Sequence, residues 1–387
     1  MNEMSSRELL ERLIGFATVS RDSNLVLIDF IRQYLAELGV QSELFYNPEC
    51  TKANLFATIG PRDRGGVVLS GHTDVVPVDG QAWTLEPFRL TEKEGRLYGR
   101  GTADMKGFIA SVLAAVPLFL EQTLKLPVHL AFSYDEEVGC LGVRPMLAEL
   151  EKRPHKPAFC LIGEPTELKP VLSHKGKLAM RCHVKGAACH SANAPYGVNA
   201  IQYAARLIGR LEEIGEQLSQ PEHHDQRFDP PFSTVQTGVI QGGRALNIVP
   251  DECQFDFEVR ALPGFDADKV ADELRTYAEA ELLPKMRAVN SGTGIRLQAL
   301  SAYPGLATPP DGEAARLLAL LSGSTEFGTV AFGTEGGLFN QVGIPTVVYG
   351  PGSMDQGHKP DEFVTVEQLG NCDAMLARLA DYLSTAS

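Results

Sequence analysis

No stretch of this 387-residue chain approaches the roughly 20 apolar residues that would span a bilayer, and residues 1–10 are acidic and polar where a secretory leader needs an apolar core. No Cys-x-x-Cys pair occurs. The cysteines, at Cys50, Cys140, Cys160, Cys182, Cys189, Cys253 and Cys372, are dispersed and odd in number, which excludes a regular disulfide framework and points to a reducing compartment. Basic clusters are missing as well, and a formal net charge of −14 opposes attraction to phosphate backbones or anionic lipid. The expectation is a cytoplasmic protein with no nucleic-acid and no membrane partner. Internal repeats and low-complexity tracts are also absent.

What the chain has is an ordinary globular composition, 44% hydrophobic and 22% charged, at a length that one core rarely serves. Ser5-Ser6-Arg7-Glu8 reads as a capping box opening a first helix, and Leu27, Ile31, Leu35 and Leu38 mark a second that Gly39 ends. Short apolar runs at 67–69, 128–132, 159–162 and 346–349 read as buried strands, and the apolar segment 108–120 as a buried helix that Pro117 kinks or ends. Strands alternating with helices predict an α/β fold with a mostly parallel sheet. From about residue 178 the texture changes. Leu178, Met180, Cys182 and Val184 alternate with polar residues, as do Cys253, Phe255, Phe257 and Val259. Between them Ala200, Ile201, Ala204, Ile208, Leu211 and Leu218 trace a helix face, and 267–283 supplies another helix. The apolar-run style returns at 330–332. The predicted organisation is therefore a larger domain, 1–177 and 293–387, interrupted by an α+β insertion, 178–292.

Chemistry-bearing residues follow the predicted strands. His72 and Asp74, as His-x-Asp, put both side chains on one face of an extended segment, where the carboxylate can orient a metal-bound imidazole; a satisfied loop histidine is the alternative. Asp104 precedes the 108–120 helix, either as its N-cap or as a carboxylate bridging two cations. Asp135, Glu136 and Glu137 are three acids in succession, a solvated loop or a set needing a cation or a proton between them. Glu164 is followed by Pro165, and His358 lies in a glycine-rich loop. Open α/β sheets place ligands beyond the carboxyl ends of their strands, so these residues could converge. Mixed His and carboxylate donors suit zinc, cobalt or manganese, and their number fits two ions better than one.

The segments Ser70-Gly71-His72-Thr73-Asp74-Val75-Val76-Pro77, Gly99-Arg100-Gly101-Thr102-Ala103-Asp104-Met105-Lys106-Gly107, Asp135-Glu136-Glu137, Gly163-Glu164-Pro165-Thr166 and the loop ending His358-Lys359-Pro360-Asp361-Glu362 resemble, in this order and over nearly the whole chain, the dinuclear zinc hydrolases that include acetylornithine deacetylase, succinyl-diaminopimelate desuccinylase and carboxypeptidase G. Arg260-Ala261-Leu262-Pro263-Gly264 and His174-Lys175-Gly176 look most like the acetylornithine deacetylase branch. The resemblance implies a zinc-peptidase-like catalytic domain and an inserted lid and dimerisation domain. It implies two divalent ions, zinc or alternatively cobalt, with His72 and Glu164 on one, Glu137 and His358 on the other and Asp104 bridging. It also implies a cis peptide at Asp104-Met105, Asp74 as the orienting group of His72 and Glu136 as general base. By the same resemblance His190 serves the partner subunit of a homodimer as an oxyanion donor, and Arg260 and Asn247 bind the substrate's α-carboxylate. The reaction implied is hydrolysis of Nα-acetyl-L-ornithine to acetate and ornithine in arginine biosynthesis. As a specificity element, Glu335 could meet the δ-ammonium of that small-molecule substrate; a solvated loop acid is the alternative. Desuccinylation lacks an extra Arg or Lys in the motifs for a distal carboxylate, a broader N-acylamino-acid or dipeptide hydrolase is a second alternative, and a noncatalytic metal-dependent binding module conflicts with the presence of Glu136 beside all five ligands.

Overall fold

The computed structural model describes residues 3–385, which divide into two compact units, each with its own sheet and core. One comprises His174–Gly305 with Ala331–Gly333, and the other the remainder. Among the described residues no helix is long and apolar enough to cross a membrane.

In the larger unit the four apolar runs become the strands Val67–His72, Val128–Ser133, Phe159–Ile162 and Thr346–Val348, buried along their length. They form the parallel centre of one sheet, in the order Val128–Ser133, Val67–His72, Phe159–Ile162, Thr346–Val348. Strands covered on both faces have no polar side to show, which explains why these segments read as continuous apolar runs. Ser42–Tyr46, Ala53–Ile59 and Val171–His174 add antiparallel strands outside that centre. The molecule is thus mixed α/β with a large sheet whose parallel pairing is concentrated in the middle. Parallel neighbours present their carboxyl ends on one edge, and the residues that follow them emerge there together.

The helices obey their local signals. Ser5 caps Ser6–Ile14: its hydroxyl accepts the Glu8 N–H at 3.3 Å, and the Glu8 carboxylate accepts the Ser5 N–H at 2.8 Å. Leu25–Glu37 ends ahead of Gly39, whose φ of 82° lies in the left-handed region that glycine tolerates. The apolar segment 108–120 forms two helices, Lys106–Ala114 and Val116–Glu121, and the break precedes Pro117 because a residue without N–H suits the first turn of a new helix. Lys106–Ala114 packs very close to the sheet: a Cβ on Gly163 would lie 1.9 Å from Phe108 Cγ.

The smaller unit has a four-stranded antiparallel sheet in the order Thr234–Gly242, Glu252–Ala261, Gly176–Lys185, Gly294–Tyr303. Its two central strands bury alternate residues, as their period-2 pattern predicts. Helix Ala200–Leu218 buries Ala200, Ala204, Leu207, Leu211, Ile214 and Leu218. The expected face is therefore turned: Ile201, one residue round from Ala200, is 36% exposed. The second helix is Asp268–Tyr277, continued by a π-helical turn at Ala278–Leu282. Strand Gly294–Tyr303 pairs along Gly176–Lys185, which carries this unit beyond residue 292. Near residue 330 the strand is Gly328–Val330, paired with Val171–His174.

Candidate active site

The carboxyl edge of the parallel strands gathers His72, Asp104, Glu136, Glu137, Glu164 and His358. His72 ends its strand; its Nδ1–H donates to the Asp74 carbonyl oxygen at 2.9 Å, leaving Nε2 to face Asp104 Oδ1 at 2.9 Å and Glu164 Oε1 at 3.7 Å. His358 Nε2 meets the other Asp104 oxygen, Oδ2, at 3.1 Å and Glu137 Oε2 at 3.0 Å. Asp104 therefore lies between two imidazoles, one carboxylate oxygen to each. It is not the helix cap, since Met105 occupies that position and no side chain caps the helix. The peptide between Asp104 and Met105 is cis.

Asp74 acts differently from the simple orienting carboxylate. Its carboxylate stands 3.6 Å from His72 Nδ1, while its main-chain oxygen takes the imidazole proton. The carboxylate accepts the N–H groups of Glu136 at 3.1 Å and Glu137 at 3.3 Å and the Ser20 hydroxyl at 2.7 Å, so it fixes the acidic turn as well. Within that turn the three acids part company. Asp135, with φ of 54°, pairs with Lys52 at 2.5 Å, whereas Glu136 and Glu137 face the histidines. The Cys140 thiol donates to Glu136 Oε1 at 3.3 Å.

The proton affinities express how much negative charge is packed here. Burial, reinforced by Asp104, pushes the carboxyls of Glu164 well up and Glu137 up to about 7. Burial likewise raises Glu136 well above the usual range, with Glu137, Asp104 and Glu335 adding to the effect. His358 is raised to about 11 by its bonds to Asp104 and Glu137. Despite burial, His72 is also raised, by Asp104 and Asp74, and Asp104 is lowered by the two imidazoles. Protons thus substitute for missing positive charge, the condition a divalent cation relieves. The donor set fits one: ligand atoms of His72, Glu136 and Glu164 lie within 4.8 Å of one another, as do those of His72, Asp104 and Glu137. Imidazole and carboxylate donors with no thiolate suit zinc, cobalt or manganese.

Glu335 is 2% exposed, with burial raising its carboxyl to about 7. It is not a solvated loop acid. Ser133 lies beside it, yet neither Ser133 Oγ nor Glu335 Oε1 completes a hydrogen bond. In the smaller unit, Arg260 donates to Glu258 at 3.1 Å and to the Tyr303 hydroxyl at 3.3 Å. His190 is exposed; its Nδ1 accepts the Ala192 N–H at 3.1 Å, which places its own proton on Nε2, free to donate. Asn247 is exposed, and its main-chain oxygen accepts the Ser191 N–H at 3.0 Å, so the loops carrying His190 and Asn247 are tied together. Sequence reasoning missed Ser20, Lys52, Cys140 and the Arg100–Glu362 pair, whose Nη1 to Oε2 distance is 2.6 Å. Arg100 and Glu362 had a signal, each being a charged residue inside a segment that also carries a candidate ligand, Asp104 or His358.

Comparison with known proteins extends these observations. The profile of peptidase family M20/M25/M40 matches residues 68–382. The chain is 38% identical over 378 residues to acetylornithine deacetylase of Myxococcus xanthus, covering 96% of each chain, and 36% identical over 365 residues to that of Pasteurella multocida, covering 94% and 92%. Among solved structures it is similar to an M20 family metallo-carboxypeptidase of Sulfolobus solfataricus, with a TM-score of 0.78 at 18% identity and coverage of 99% and 100%. A dinuclear metal binding peptidase of Bacillus subtilis gives a TM-score of 0.65 at 18% identity over 97% and 96%.

Proposed function

The chain belongs to peptidase family M20/M25/M40 and is a metal-dependent hydrolase of amide bonds, and from that premise we propose that it removes the acetyl group of Nα-acetyl-L-ornithine, yielding acetate and L-ornithine. The observation that carries the reaction type is Asp104 held between His72 and His358 with Glu136 beside them. The substrate rests on the similarity to acetylornithine deacetylases.

In this reading His72 and Glu164 would hold one divalent ion and Glu137 and His358 a second, with Asp104 shared between the two; zinc is the proposed metal, with cobalt able to replace it. When bound, the ions lower the pKa of water and polarise a carbonyl oxygen. Asp74 keeps the His72 proton on Nδ1 and fixes the turn that carries Glu136. Glu136, its carboxyl raised by burial and by the neighbouring acids, takes a proton from the attacking water and returns it to the leaving nitrogen, so that the amine departs neutral. His190 donates from Nε2 to the oxygen of the tetrahedral species, in the partner subunit of a homodimer, with the unit that carries it acting as lid and dimerisation domain. Arg260 and Asn247 bind the α-carboxylate. Arginine biosynthesis in the cytoplasm is the setting that goes with this substrate, and a monomer in light scattering would remove the dimer from the proposal.

The first test is deacetylation of Nα-acetylornithine by metal-stripped protein as zinc or cobalt is titrated back, with succinyl-diaminopimelate alongside. Metal-dependent ornithine release with far slower desuccinylation is expected. Metal binding with activity on neither substrate sinks the substrate assignment and redirects the search to other N-acylamino acids and dipeptides. Glu335, buried with an unsatisfied oxygen, is proposed to meet the δ-ammonium. The Glu335→Gln protein should lose its preference for acetylornithine over neutral N-acetylamino acids, and an unchanged preference removes that role.

A further inference from the structure

The segment that presents Asp104 is organised around a carboxylate that touches no proposed ligand atom. Glu362 is 1% exposed, and its Oε1 accepts three main-chain N–H groups of one loop, from Gly101 at 3.1 Å, Ala103 at 2.9 Å and Asp104 at 3.1 Å. Its Oε2 accepts from Arg100 Nη1 at 2.6 Å. All four of these partners are donors, so the site asks for an ionised carboxylate and nothing else of that shape. The Glu362 main-chain oxygen also accepts the Gly99 N–H at 2.9 Å, closing the loop 99–104 onto the segment that follows His358.

Arg100 extends the connection. It is 1% exposed, lies under the Trp83 ring at 5.0 Å, and donates to the Lys359 carbonyl at 3.3 Å and to Gln81 Oε1 at 2.5 Å. Gln81 in turn donates from Nε2 to the His358 carbonyl at 2.9 Å. The backbone at Asp104 and the backbone at His358 are thus anchored to one buried ion pair. His358 needs such anchoring, because its φ of 63° is a left-handed conformation that a non-glycine residue holds only under constraint.

We propose that Glu362, paired with Arg100, is a positioning residue for the metal centre, setting Asp104 and His358 at the separation that lets one carboxylate serve both ions. This rests on the metal reading given above. Outer-shell groups of this kind are worth about 10- to 100-fold in metal affinity.

Glu362→Gln keeps the shape but puts an amide NH2 where every neighbour is a donor. Zinc affinity would be measured by competition with a chromophoric chelator, and the cobalt-loaded proteins compared by visible absorption, at a temperature where each is folded. Asp373→Asn is the control: that half-buried carboxylate accepts from Ser6 at 2.6 Å on the N-terminal helix, apart from any ligand. The expected result is a 10- to 100-fold weaker zinc affinity and an altered cobalt spectrum for Glu362→Gln, with Asp373→Asn binding as wild type even where its melting temperature falls. Wild-type affinity and an unchanged spectrum in Glu362→Gln overturn the proposal, however unstable that protein is. Should Glu362→Gln fail to fold, Arg100→Lys, which leaves the amide contacts in place, carries the same expectation at smaller size. A wild-type protein that takes up no metal overturns the metal reading itself, a result distinct from equal binding by wild type and variant.

Discussion

At the scale of single residues, adjacency in sequence hides divergence in space. Asp135, Glu136 and Glu137 are consecutive, but a left-handed backbone at Asp135 and the Lys52 ammonium draw the first acid away and leave two for chemistry. Glu136→Gln should lower kcat for amide hydrolysis by about 10²- to 10⁴-fold, the usual worth of a general base, while calorimetry still finds the wild-type number of metal ions. Loss of metal along with activity would instead make Glu136 a ligand, a role its proximity to His72 and Glu164 also permits. Most residues of the cluster were legible because they follow strands, and Asp104 because it stands just ahead of an apolar helix. What Asp74 does was not: an i, i+2 spacing indicates nearness, and only the folded turn reveals that the main-chain oxygen meets the imidazole while the carboxylate holds two amides.

Among the elements, legibility followed the strength of the local signal. The capping box at Ser5 and the parallel strands are where their patterns put them, because backbone hydrogen-bonding demands and two-sided burial leave few other solutions. The face of helix Ala200–Leu218 was less legible. Alanine and isoleucine alike suit a core, so composition did not reveal that Ile201 points outward while Leu207 and Ile214 point in. The extent of the smaller sheet was hidden for a related reason. Its edge strand Gly294–Tyr303 is largely exposed and lacks the clean alternation of its two central neighbours. Close packing of Phe108 on Gly163 could not be read at all, since a glycine after an apolar run has many explanations and the helix opposite lies some fifty residues earlier in the chain.

For the whole molecule, acid sensitivity has a source apart from the metal centre. His129, stacked on Phe56 and bonded to Thr58 at 3.0 Å, is lowered to about 4 by burial and then by Arg153 and Arg62. His174, in the other unit, is lowered to about 4 by burial. In the unfolded chain both bind a proton near pH 6.5, so between pH 6.5 and 4 the unfolded state holds protons that the native state refuses. Stability is full above pH 6.5 and declines as pH falls toward 4, by up to about 3 kcal/mol for each histidine. Urea midpoints of metal-free protein across that range should fall less steeply in His129→Phe than in wild type, and parallel slopes would remove His129 as a cause. The topology also governs the order in which the centre can come into being. Strand Thr346–Val348 lies between Phe159–Ile162 and Val171–His174, two elements made long before it, and His358 follows that strand. Translation must therefore pass residue 348 before the parallel centre has all four of its strands, and residue 358 before His358 can join Asp104 and Glu137. The last strand of the parallel centre and the second imidazole at Asp104 therefore come from the same C-terminal stretch of chain.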